Sequence, residues 1–133
     1  MNSTIDKLAL IEIKDRKILC ARSKGKDIFY VPGGKREEGE NDEAALSREI
    51  REELGVELEP SSFEFKGQFD AQAHGKPEGV MVSVRCYSAS FQGLPTAESE
   101  IEELAWLSYK DLEKLSEAGK LIFESLKKSD LID

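Results

Sequence analysis

Three glutamates near the end of a predicted helix are the residues in this sequence best suited to chemistry. Glu49, Glu52 and Glu53 are related by steps of three and four residues, so their carboxylates share one side of a helix over 41–54. The apolar residues that define the opposite, buried face are Leu46, Ile50 and Leu54. Like charges one turn apart repel, and acids near a helix C-terminus oppose the macrodipole. A hard divalent cation such as Mg²⁺ would relieve this repulsion, because it prefers carboxylate and phosphate oxygens.

A solvated acidic helix face is the alternative, and such a face is common in an acidic chain. Asp and Glu number 27 against 19 Lys and Arg, which gives a formal net charge of −8. Two glycines upstream of the helix, Gly33 and Gly34, favour the interpretation that the glutamates bind a metal ion, because glycine lets the backbone approach a ligand closely. Asn41 suits the helix N-cap and Gly55 its C-terminal stop.

The segment from 34 to 56 resembles the signature of a known family. It follows the pattern G-x5-E-x7-R-E-x-x-E-E-x-G, which is that of the Nudix hydrolases. The matching positions are Gly34, Glu40, Arg48, Glu49, Glu52, Glu53 and Gly55, with Ile50 and Val56 as the aliphatic residues. The resemblance extends to the Tyr-Val-Pro-Gly-Gly before the signature and the Glu-Glu-Leu-Ala-Trp-Leu after it, so we take it to cover the whole chain.

The resemblance implies an α+β (α/β) fold in which a mixed β-sheet is sandwiched between helices. It also implies cleavage of a nucleoside diphosphate linked to another group, with Mg²⁺ or Mn²⁺ as cofactor. Glu52 and Glu53 would bind the metal, and Glu49 would either bind metal or take a proton from the attacking water. Arg48 would orient a glutamate through a charge-assisted fork. Glu40 would brace the loop or contribute a carboxylate through water.

The glycines and one further acid complete the catalytic expectations. The backbone of Gly33 and Gly34 would lie close to the metal and the substrate phosphates, with Gly33 counted among the metal contacts. In similar enzymes another acid comes from the loop before the tryptophan strand. The candidates are Glu98, Glu100 and Glu102. We choose Glu100, because it lies just before the strand toward Trp106, although an exposed loop acid is an equal alternative.

Several other residues have a binding role and a structural role as alternatives. Arg22, Lys24 and Arg36 are candidate phosphate contacts, and surface charge that serves solubility is the rival explanation. His74 lies in a glycine-flanked loop, where it would approach the nucleotide, act as an accessory base, or be a simple loop histidine. Tyr30 and Phe29 are both candidates for stacking on a base, although strand alternation requires one of them to face the core. Trp106 is expected in the core.

The residues after the signature narrow the substrate class. Ala71, Gln72 and Ala73 stand where some Nudix subfamilies carry a proline or a tyrosine. We therefore expect a nucleoside triphosphate pyrophosphohydrolase that releases a nucleoside monophosphate and pyrophosphate. The alternatives are a catalytically silent nucleotide-binding module and an enzyme for ADP-ribose or another nucleotide conjugate. The intact glutamate set argues against a silent module.

Charge and composition limit the partners and the compartment. The acidic balance disfavours coating of duplex nucleic acid, and no apolar run is long enough for a bilayer or a signal sequence. Cys20 and Cys86 each stand alone in strand-like segments, which indicates reduced, buried thiols. We expect a cytoplasmic protein with a single domain over 1–133, which acts on a nucleotide as a monomer or homodimer.

The elements that must position these residues are strands around one dominant helix. A polar hairpin at 14–16 joins the first two strands. A strand at 28–31 is predicted to end at Pro32, because proline lacks a donor and the next two residues are glycines. The predicted strands are 5–13, 17–22, 28–31, 62–70, 79–91 and 104–107, with one or two helices in 109–128. This order predicts a mixed sheet flanked by helices.

Overall fold

The computed structural model describes residues 4–133, which form seven strands and two α-helices. The strands are β1 (Thr4–Leu10), β2 (Ile13–Lys14), β3 (Lys17–Ser23), β4 (Gly33–Lys35), β5 (Glu64–Gln72), β6 (Met81–Ser88) and β7 (Ile101–Leu107). Helix α1 covers Asp42–Leu54 and helix α2 covers Glu117–Lys128. Short 3₁₀ helices lie at Pro60–Ser62 and Tyr109–Lys114. Within these residues, neither α-helix is long and apolar enough to cross a bilayer.

The strands divide into two sheets. One sheet has the order β4-β1-β6-β5, with β1 parallel to β6 and the other neighbours antiparallel. The other sheet has the order β2-β3-β7 and is antiparallel. The predicted fold class, an α+β fold with a mixed sheet flanked by helices, is confirmed. A second, antiparallel sheet completes it.

Two clusters of buried side chains hold these layers together. The larger cluster joins the facing sides of the two sheets to α2, through residues such as Cys20, Cys86 and Phe123. The smaller cluster lies under α1, which packs Leu46, Ile50 and Leu54 on Leu8, Leu10 and Leu19. Strand β1 contributes alternate residues to both clusters, because successive side chains of a strand point to opposite faces. Strand β1 therefore packs against α1 on one face and against the inter-sheet core on the other.

The predicted helix and its caps are confirmed. The Asn41 side chain accepts a hydrogen bond from the Ala44 amide at 2.8 Å, which satisfies one of the free donors of the first turn. Gly55 adopts the left-handed conformation after Leu54, and its amide donates to the Arg51 carbonyl at 3.1 Å. The helix therefore ends at the residue where the sequence predicts it.

The predicted strand at 28–31 is wrong, because the strand lies after the proline. Phe29 and Tyr30 form only isolated bridges, whereas Gly33–Lys35 pair with β1. Gly33 makes this pairing possible: a Cβ added to it would lie 1.9 Å from the Leu8 carbonyl oxygen. The glycines therefore begin a strand at the edge of the sheet, where the missing side chain allows a close approach.

The expectation that Trp106 lies in the core is wrong. Trp106 is 38% exposed on β7, while its neighbour Leu107 packs in the inter-sheet core. Strand alternation explains the difference, because only one of two successive residues faces the other sheet.

Replacement of Gly33 by alanine is expected to destabilise the fold. Gly33 has φ near +147°, and the added methyl group would meet backbone rather than a flexible side chain. Gly39→Ala is the matched control, because Gly39 also has positive φ (+85°) but has no atom within 4 Å of an added Cβ. We expect Gly33→Ala to lose at least about 2 kcal/mol more than Gly39→Ala in urea unfolding. Equal losses in the two variants would contradict the close approach.

Candidate active site

Helix α1 presents its three carboxylates in different environments. Glu49 is largely buried, with 16% of its side chain exposed, whereas the Glu52 side chain is 50% exposed. Glu53 is half-buried at the last turn. The helix is fixed in this orientation because its opposite face is fully buried on β1 and β3. The carboxylates therefore lie on the side of α1 that faces β4.

Arg48 links the helix to the loop before it. Its guanidinium binds both carboxylate oxygens of Glu40, at 2.7 and 3.0 Å. The same group donates to Glu49 Oε1 at 2.9 Å and to the Lys35 carbonyl at 3.0 Å, and it lies 3.4 Å from Glu52. This bidentate pairing holds the pKa of Glu40 at about 2. Arg48 therefore fixes two of the signature glutamates in place.

The two glycines of β4 shape the floor beside the carboxylates. The Gly33 amide donates to Glu53 Oε1 at 3.1 Å. Gly34 leaves room for the Glu49 carboxylate, since a Cβ on Gly34 would lie 2.4 Å from Glu49 Oε2. The glycine pair thus brings strand backbone against two carboxylates of α1 at once.

Burial perturbs the ionisation of Glu53. The pKa of Glu53 is raised to about 7, mainly by desolvation and in smaller part by the negative charges of Glu49 and Glu52. The Gly33 amide and the Lys7 ammonium act in the opposite direction. In residues 4–133, no group of three or more Asp, Glu, His or Cys side chains is arranged as a ready metal cluster. Glu49 instead accepts from Arg48, and Glu53 accepts from the Gly33 amide.

Two predicted phosphate contacts, Arg22 and Arg36, form ion pairs with other carboxylates. Arg22 pairs with Glu103 on the neighbouring strand at 2.9 Å. Arg36 pairs with Asp6 at 2.9 Å and with Asp42 at 2.5 Å, which ties β4 to the start of α1. Neither arginine forms an ion pair with Glu49, Glu52 or Glu53 among the described residues.

The loop before β7 contacts the C-terminal end of α1 through Glu98. The Glu98 amide donates to the Glu53 carbonyl at 3.0 Å, and the Thr96 amide donates to the Leu54 carbonyl at 2.9 Å. The Glu100 carbonyl instead accepts from the Lys24 amide. Sequence reasoning selected Glu100 for its place before the strand. The last carbonyls of a helix have no partner within the helix and need donors from elsewhere. This requirement is the feature that could have directed attention to the loop of Glu98.

A cavity of about 280 Å³ opens beside Glu53 and runs between the two sheets. Its apolar walls come from β1, β6 and α2, and Tyr30 and His74 meet edge to face at 6.4 Å along it. The Gln72 amide donates to the Pro77 carbonyl, and its oxygen accepts from the Gly79 amide, so it orders the loop that carries His74. Lys7 also lines the cavity, and sequence reasoning missed it. Lys7 could have been recognised from the sequence, because it lies on the same face of the first strand as the apolar residues Ile5 and Ala9.

The metal-free protein is expected to lose stability as the pH rises from about 4.5 to about 7. In this range folded Glu53 keeps a proton that the unfolded chain has released, so the penalty of its burial is complete above pH 7. Glu53→Gln should remove this slope and be more stable than wild type above pH 7. Urea unfolding in EDTA across this range measures the effect, with Glu43→Gln as the control for removing one acid from the helix. The same slope in wild type and Glu53→Gln would contradict the assignment.

Comparisons with known proteins identify relatives that are similar along most of the chain. A family profile described as NUDIX domain matches residues 7–126. The nucleoside triphosphatase NudI of Enterobacter sp. (strain 638) is 31% identical over 128 residues, which cover 86% of this chain and 89% of that protein. The nucleoside triphosphatase NudI of Escherichia coli O17:K52:H18 (strain UMN026 / ExPEC) is 30% identical over 115 residues, which cover 77% and 80%.

Solved structures show the same architecture. The solution structure of the E. coli ORF135 protein has a TM-score of 0.75 at 28% identity and covers 99% of this chain and 96% of that chain. The crystal structure of a MutT NUDIX hydrolase from Burkholderia pseudomallei has a TM-score of 0.76 at 27% identity, with coverages of 92% and 97%. The profile spans the signature helix, both sheets and most of α2, so the likeness is not confined to one motif. The chain belongs to the Nudix family of hydrolases.

Proposed function

We propose that this Nudix hydrolase cleaves nucleoside triphosphates to nucleoside monophosphates and pyrophosphate, with Mg²⁺ or Mn²⁺. The observation that carries the proposal is the position of Glu53, one of the three carboxylates of α1, at the inter-sheet cavity. Glu53 lines that cavity together with Gly33 and Gly34. A nucleoside in the cavity would place its phosphates against the acidic side of α1. The relatives named nucleoside triphosphatase support this substrate class.

The residues present suit a hard divalent cation. Glu52 and Glu53 supply carboxylate oxygens, and Glu49 and the Gly33 backbone lie next to them. The raised pKa of Glu53, caused by burial beside two other acids, marks a place where a positive charge would be stabilised. When bound there, the metal would neutralise phosphate charge and make a water molecule more acidic. Glu49, Glu52, Glu53 and Gly33 are the groups that would hold it.

The chain itself would orient the carboxylates and accept a proton. Water attacks phosphorus, the bond between the phosphates breaks, and one proton must leave the water. Glu49 is one candidate acceptor, and the loop acids Glu98 and Glu100 are the others. Arg48 acts as a positioning residue, because it holds Glu49 by an ion pair at 2.9 Å while Glu40 fixes its other side. No covalent enzyme intermediate is required.

Hydrolysis of a panel of nucleoside triphosphates tests the proposed reaction. We expect Mg²⁺-dependent release of pyrophosphate, seen as phosphate only after inorganic pyrophosphatase is added, and no release in EDTA. Glu53→Gln should lower kcat at least about a hundredfold, because it removes a charge from the site of metal binding. Glu43→Gln, on the first turn of α1, should leave kcat unchanged. Near-native turnover by Glu53→Gln would contradict its assignment. ADP-ribose and sugar nucleotides in the same panel test the alternative substrates.

Metal binding can be tested without turnover. Mg²⁺ or Mn²⁺ should raise the melting temperature of the wild-type protein by mass action, because the folded state binds the ion and the unfolded state does not. A double variant, Glu52→Gln with Glu53→Gln, should lose most of this shift. A silent nucleotide-binding module would show the shift without hydrolysis. An equal shift in the wild type and the double variant would place the metal elsewhere.

A further inference from the structure

The arginines of this chain are already used in its structure. All six form ion pairs with carboxylates of residues 4–133. The pairs are Arg16 with Asp130 and Asp133, Arg22 with Glu103, Arg36 with Asp6 and Asp42, Arg48 with Glu40, Arg51 with Glu57, and Arg85 with Asp42. A phosphate that binds one of them would share its guanidinium with a carboxylate already paired to it. Lysines that lack such a pairing are therefore the better candidates for binding the substrate phosphates.

Lysines are concentrated at the inter-sheet cavity. Of the described residues that line it, four are lysines and only Glu53 is acidic. These lysines are Lys7, Lys26, Lys35 and Lys76. The chain as a whole carries a net charge of −8, so this local excess of cations runs against its average. A cavity with this lining favours an anionic ligand.

Lys7 is the lysine built most deeply into this cavity. It lies on β1 between Ile5 and Ala9, on the face that packs into the inter-sheet core, and it is half-buried. Its ammonium lies 5.8 Å from the centroid of the Tyr30 ring, a cation–π distance that restrains the side chain. Among residues 4–133, Lys7 has no carboxylate partner in an ion pair. A charged group has therefore been placed at an inward position without a partner from the protein.

The neighbour of Lys7 makes this placement more costly. Lys7 and Lys35 are directly opposite each other in the antiparallel pairing of β1 and β4. Like charges at opposite positions of a strand pair destabilise the sheet. Burial and the charge of Lys35 both lower the pKa of Lys7, while Glu53 and Glu49 raise it. Lys7 and Glu53 both line the cavity, and an anion bound beside Lys7 would relieve its repulsion with Lys35.

We propose that Lys7 binds the α-phosphate of the substrate, the phosphate that stays with the nucleoside after cleavage. The inference rests on the proposed function, because it takes the nucleoside to lie in the cavity and the outer phosphates to lie at α1. The α-phosphate is the group at the junction of these two regions, where Lys7 lies. An ammonium suits this place, since it has three donors and no acceptor.

Binding of products in the absence of metal tests the proposal directly. The probes are dAMP, dCMP, dGMP and dTMP and the four corresponding nucleosides, each measured by calorimetry in EDTA. We expect Lys7→Met to weaken binding of the monophosphates about tenfold or more and to leave binding of the uncharged nucleosides unchanged. Lys7→Arg should retain most of the affinity. Lys14→Met, which removes an exposed lysine from β2, is the matched control and should bind as wild type.

Two further readouts separate a binding role from a structural one. Lys7→Met should melt at or above the temperature of the free wild-type protein, because it removes one of two opposed charges. In steady-state assays it should raise KM for the triphosphate more than it lowers kcat. Lys7→Gln repeats the measurement if Lys7→Met does not fold.

Several outcomes would overturn the proposal. In the first, Lys7→Met binds the monophosphates as tightly as wild type. In the second, Lys7→Met loses as much affinity for the nucleosides as for the monophosphates. In the third, the wild-type protein binds no monophosphate. Failure of the proposed function is measured separately, as absence of hydrolysis of every nucleoside triphosphate in the panel. The binding measurements contain no metal and no turnover, so the two failures are distinguishable.

Discussion

Glu49, Glu52 and Glu53 crowd the second half of α1, where their mutual repulsion and the helix dipole both disfavour negative charge. The protein manages the three acids in different ways. Arg48 neutralises Glu49, solvent screens Glu52, and Glu53 accepts a hydrogen bond from the Gly33 amide while burial raises its pKa to about 7. Repulsion that the protein only partly relieves is what makes this surface suitable for a divalent cation.

The glycines of β4 connect this charge cluster to the fold. Gly33 allows β4 to approach the Leu8 carbonyl, and Gly34 leaves space for the Glu49 carboxylate. One short edge strand therefore contacts β1 on one side and the acids of α1 on the other. The sheet pairing and the site geometry depend on the same missing side chains, so a mutation there would affect folding and binding together.

Arginines and lysines have separate places in the structure. The arginines hold elements together, as Arg48 holds the loop before α1 and Arg36 holds β4 to the start of α1. The lysines of the cavity remain available, and Lys7 and Lys35 face each other across β1 and β4. The cavity thus combines the carboxylate of Glu53 with the ammonium groups of four lysines. A ligand that carries both phosphates and an apolar or aromatic portion matches this division.

The sequence by itself determined the family, the signature helix and both of its caps, because helix periodicity, capping and the spacing of the glutamates are local properties. It did not determine the strand at Gly33–Lys35, since the rule that proline and glycine end a strand is local, whereas the pairing with β1 is a long-range contact. The partners of Arg22 and Arg36, the contact of Glu98 with the end of α1 and the exposure of Trp106 were also decided by tertiary structure. For the arginines and Glu98 the deciding neighbour comes from another part of the chain, which local spacing does not identify. For Trp106, strand alternation required that either Trp106 or Leu107 be exposed, and packing of β7 on the other sheet decided which.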